Sequence, residues 1–91
     1  MKIRKLDKRN NGYGDFVYSI RFIRQKEFYK VFDWAWNTWG TTKDLADWIL
    51  DARNNEFEFQ NNHWAWQNDQ YHRRIYLRSD AELVLFTLKW A

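Results

Sequence analysis

The apolar residues of this chain keep two different periods, and the point where one gives way to the other constrains its fold class. Phe16, Tyr18, Ile20 and Phe22 recur at every second position of a β-branched and aromatic run, the mark of a strand with one buried face. From Gln25 onward, Phe28, Val31, Phe32, Ala35 and Trp39 recur at three- and four-residue spacing. That spacing predicts a helix, which Gly40 closes. Upstream, residues 2–8 alternate around Ile3 and Leu6 and reach the turn Asn10-Asn11-Gly12-Tyr13-Gly14, so the chain opens as a β-hairpin.

Beyond Gly40, Thr41 precedes Asp44 by three, an acidic analogue of a capping box. A second helix then runs to about Arg53 on the stripe Leu45, Trp48, Ile49 and Ala52, and Asn54-Asn55 ends it. The two-residue period returns with Phe57 and Phe59, the turn Asn61-Asn62, and Trp64 with Trp66. Asn68-Asp69-Gln70 turns the chain into a strand over 72–78, with Ile75 and Leu77 facing one way and Arg74, Tyr76 and Arg78 the other. Ser79 and Glu82 form a capping box for a short helix, and the alternation over 86–90 predicts a closing strand. A longer C-terminal helix is the alternative, and it would be apolar on nearly every side. The sum is a single α+β domain over 1–91: a two-layer sandwich, mainly antiparallel, with its helices packed on one face.

Seven tryptophans stand within an aromatic content of 21%, so where those rings lie decides how much of the chain is core and how much is contact surface. The tripeptide Trp-Ala-Trp occurs twice. On a strand, Trp64 and Trp66 share a face, as core or as a stacking platform. On the helix, Trp34 and Trp36 are about 200° apart. Trp36 then borders the apolar stripe, while Trp34 falls among Glu27, Lys30 and Asn37 on the solvent side. Trp34, Leu50, Trp64 and Trp66 are therefore the candidates for a protein interface, with an unidentified protein or a second copy of the chain as partner.

Charge is segregated along the chain. Residues 1–30 balance at +6, residues 31–69 at −5 and the remainder at +2, for a net charge of +3. Arg4, Lys5, Arg21, Arg73, Arg74 and Arg78, joined by Lys2, Lys8 and Arg9, alternate with Tyr13, Tyr18 and Tyr76. Cations for phosphates beside rings for bases suit single-stranded nucleic acid, which is the second functional reading.

Catalysis finds little support. There is no cysteine and no phosphate-cradling loop. His63 and His72, with Asp69 between them, match no zinc spacing, and Asp44, Asp47 and Asp51 read as the solvated face of a helix. A non-enzymatic protein without cofactor or metal is expected. No apolar run has the length of a membrane span and the first residues lack a signal-peptide core, so a cytoplasmic location is expected.

The C-terminal third carries a resemblance. Arg74-Ile75-Tyr76-Leu77, Ser79-Asp80-Ala81-Glu82-Leu83 and the close Leu85-Phe86-Thr87-Leu88-Lys89-Trp90 resemble the ending of small uncharacterised proteins of large tailed bacteriophages, including those of marine cyanobacteria. The resemblance implies a small phage-type accessory protein made in a bacterial host cytoplasm. It carries no catalytic residue to any position of this chain.

Overall fold

A computed structural model describes residues 1–6, 16–53, 61, 63–69 and 71–90. In chain order the elements are β1 (Lys2–Lys5), β2 (Tyr18–Arg21), α1 (Gln25–Trp39), α2 (Leu45–Arg53), β3 (Trp64–Asn68), β4 (Arg73–Leu77) and α3 (Asp80–Trp90). The strands form one sheet in the order β1-β2-β4-β3, and every neighbouring pair is antiparallel. The fold is thus α+β, as the change of period predicts. The expected Asn10–Gly14 turn and the Phe57/Phe59 strand lie outside the described residues.

Strand alternation divides the apolar residues between two cores. Ile20, Phe22, Trp64, Ile75 and Leu77 pack with Phe28, Val31 and Ala35 of α1 and Phe86 of α3. Residues of the opposite parity, Ala65 and Tyr76, pack instead with Trp48 of α2, Phe16 and Leu6. The Trp48 and Phe16 rings lie 4.7 Å apart. The expectation of helices on one face is therefore corrected: α1 and α3 cover one side of the sheet, while α2 packs on the other. A half-buried strand pattern reveals one apolar face. The large, buried Tyr76 supplies part of a second core on the polar-looking parity.

The junction between α1 and β3 is held by hydrogen bonds. Asn61 Nδ2 donates to the carbonyls of Trp39 (2.7 Å) and Thr41 (3.1 Å), and its Oδ1 accepts the amides of His63 and Trp64. The Trp64 indole N–H donates to the Gly40 carbonyl at 2.9 Å, and Trp48 Nε1 donates to the Asn61 carbonyl at 3.1 Å. Gly40 closes α1 with φ at 93°, a region that side chains avoid, while its N–H donates to Trp36 O. Asp44 rather than Thr41 caps α2: its carboxylate accepts the Asp47 amide at 2.9 Å. Thr42 Oγ1 instead donates to the Trp64 carbonyl on the outer strand.

The largest departure lies at the C-terminus, where α3 continues through Trp90 and no closing strand forms. Ser79 starts the helix as expected, its carbonyl accepting the Leu83 amide at 3.3 Å. Its hydroxyl donates to the Glu82 carboxylate, a side-chain bond rather than the reciprocal backbone bonds of a capping box. Leu83, Phe86 and Trp90 follow at helical spacing and all face the α1 side, with Phe86 fully buried. An alternating run over five residues satisfies strand and helix templates alike, and these three inward contacts decide for the helix.

Candidate functional site

Pairing register gathers the basic residues that strand order scatters. Lys2 lies opposite Arg21, Arg4 opposite Ser19, Arg21 opposite Arg74, and Ser19 opposite Tyr76. Directly opposed residues share a face, so Lys2, Arg21 and Arg74 form a row across three adjacent strands, with Arg4 one step along. Neighbouring strands run about 4.8 Å apart, so the row is roughly 10 Å wide. It lies on the side of the sheet that bears Tyr76, at the β1 end, away from the β3 edge that α2 contacts.

These residues line a shallow depression of about 100 Å³, floored by buried Ser19. Lys2, Arg4 and Arg21 are exposed, and Arg74 is half-buried. The Met1 ammonium pairs elsewhere, with Glu27 at 3.2 Å. No described carboxylate neutralises any of the four cations. Like charges directly opposed across strands destabilise a sheet, and Arg21 faces one on each side.

The other expected nucleic-acid contacts disperse. Lys5 and Arg73 have the parity of the opposite face, and Arg78 lies beyond the end of β4. Tyr76 is buried, with its hydroxyl donating to Gln67 Oε1 at 2.7 Å. Tyr18 packs on the α1 side and donates to Asp80. The basic face therefore offers phosphate contacts without the aromatic platform that alternation suggests.

The expected protein anchors also move. Trp34 is not on the solvent side: its ring lies 4.9 Å from Trp39, 6.1 Å from Trp90 and 6.3 Å from Phe86. Trp36 is instead the exposed member of that pair, stacked on Phe32. The physical reason is α3, which packs beside α1 and gives that helix a second buried seam. Trp64 is fully buried and Trp66 half-buried, so this co-facial pair is core and not a platform. Leu50 is exposed.

Glu82, His63, Asp69 and Asp44 make hydrogen bonds within the fold. His63 Nδ1 lies 2.9 Å from Glu82 Oε1. Burial alone raises the Glu82 carboxyl, but hydrogen bonds from Ser79 and His63 outweigh it and hold the group below its ordinary range. Asp69 accepts the amides of Tyr71 and His72 at 2.8 Å, which fastens the β3–β4 turn and lowers its own pKa. A cavity of about 390 Å³ lies between the start of α2 and β3, with Asp44, Ile49, Trp66 and Asp69 in its wall. Both carboxylates there are already engaged, Asp44 as a helix cap and Asp69 in the turn. Among the described residues no group of three acidic, histidine or cysteine side chains could hold a metal ion, and no helix is long and apolar enough to cross a membrane. Set against known proteins, the chain matches no family model, no curated protein and no solved structure.

Proposed function

We propose that this chain is a non-enzymatic nucleic-acid-binding protein that holds the phosphate backbone on the face formed by β1, β2 and β4. One observation carries the reading: Lys2, Arg4, Arg21 and Arg74 share one depression with no described carboxylate to neutralise them. A phosphate backbone would supply counter-charge to these four cations, and releasing its condensed counterions drives association. With Tyr76 buried beneath the face, recognition rests on charge and is tolerant of sequence.

The test is fluorescence anisotropy with labelled single-stranded DNA, single-stranded RNA and duplex DNA at low salt. Binding by the wild type, lost in the triple variant Arg4→Gln, Arg21→Gln, Arg74→Gln while the circular dichroism spectrum is kept, supports the reading. No binding to any of the three probes, or undiminished binding by the triple variant, refutes it.

A further inference from the structure

We infer that the basic depression is built around Ser19 to seat the terminal phosphate of a nucleic-acid strand, an inference that rests on the backbone-binding reading above. Ser19 is only 6% exposed, and it lines the depression together with Lys2, Arg4, Arg21 and Arg74. Its hydroxyl has no hydrogen-bond partner among the described residues. The sealed and unpartnered side-chain atoms among those residues belong to Trp66, His72, Arg73 and Trp90, so the Ser19 hydroxyl is reached from the depression. A buried hydroxyl without a partner costs free energy that an alanine there would not, and a ligand oxygen removes that cost.

Strand register sets the cations around that hydroxyl. Arg4 lies directly opposite Ser19 on β1, and Arg21 follows it by two on β2, on the same face. Lys2 and Arg74 flank Arg21 on its two sides. Donors from three strands therefore share one volume of about 100 Å³, which has no ring in its lining to stack a base. An internal phosphodiester is tethered on both sides and carries a single charge, so it lies across the mouth of the depression. A terminal phosphate is tethered once, carries a charge of roughly −1.5 to −2 at pH 7 and offers three acceptor oxygens. It reaches the floor, where Ser19 donates to one oxygen and Arg4 and Arg21 to the others. Lys2 and Arg74 then meet the phosphodiesters that follow.

The test is fluorescence anisotropy at low salt with one internally labelled single-stranded DNA in three forms: 5′-phosphorylated, 3′-phosphorylated and hydroxyl at both ends. An end phosphate tightens binding by roughly tenfold, the size of one hydrogen bond to a charged group. Ser19→Ala brings the ratio of the two affinities towards one, with a circular dichroism spectrum like that of wild type. Ser19→Thr, which keeps the hydroxyl and suits a strand, keeps the ratio. Equal affinity of the wild type for phosphorylated and hydroxyl-ended strands, or a gain that survives Ser19→Ala, overturns the inference and leaves backbone binding in place. Displacement of the phosphorylated strand by micromolar inorganic phosphate assigns the seat to the free ion and overturns it too. Binding to none of the three forms defeats the backbone reading along with it.

Discussion

Replacing Arg21 with glutamate should make the protein more stable and a poorer ligand binder at once. Arg21 faces Lys2 on one side and Arg74 on the other, so two like-charged cross-strand pairs meet at a single side chain. Such pairs contribute roughly 0.2–1 kcal/mol each, unfavourably for like charges and favourably for opposite ones. Arg21→Glu reverses the sign of both, which stabilises the fold by about 1 kcal/mol or somewhat more at low salt. For a chain of this size about 1 kcal/mol raises Tm by roughly 4–8 °C. Arg21→Gln removes the repulsion without adding attraction and should lie between wild type and Arg21→Glu. Thermal unfolding followed by circular dichroism measures the stability, and oligonucleotide anisotropy on the same samples measures the binding. Added salt should shrink the stability gain, since the charges are exposed. A destabilised Arg21→Glu variant, or one that is stabilised yet binds as wild type does, would refute the claim that this row keeps its repulsion for the sake of a ligand.

Other outcomes follow from the packing. Gly40→Ala should cost about 1–3 kcal/mol in urea unfolding through backbone strain alone, because the added methyl meets Asn61 Nδ2 at an ordinary 3.6 Å. Trp64→Ala, which empties a fully buried site and removes the hydrogen bond to Gly40, should cost about 3–5 kcal/mol on the same assay. The depressed Glu82 carboxyl contributes stability that is present above its unfolded pKa of about 4.3 and is lost as pH falls through the folded value. Glu82→Gln should therefore flatten the acid limb of a stability–pH curve, and an unchanged limb would show that Glu82 contributes nothing there.

Much of this architecture was legible from periodicity. The faces of β2, β3 and β4 follow from Ile20, Trp64, Trp66, Ile75 and Leu77, and Gly40 and the Ser79–Glu82 pair mark real helix ends. The C-terminus misled because Phe86-Thr87-Leu88-Lys89-Trp90 alternates while Leu83, Phe86 and Trp90 also fit a helix. That one ambiguity propagated: with the second half of α3 read as a strand, nothing could cover Trp34, and the exposed and buried tryptophans of α1 exchanged places. The basic row was half legible. Alternation assigns each cation a face, but only the register between β1, β2 and β4 brings Lys2, Arg21 and Arg74 abreast. Tyr76 shows the converse limit: it shares that face, yet its ring is buried in the second core, 6.1 Å from Phe16.

The salt dependence of oligonucleotide affinity bears most directly on the central claim. Four cations neutralising four phosphates give a slope of log K against log salt of about −3 for a single strand, and neutralising one of them makes it shallower by about 0.7. The account predicts that slope for wild type and the smaller one for Arg21→Gln. A slope near zero, or one that Arg21→Gln leaves unchanged, would contradict it.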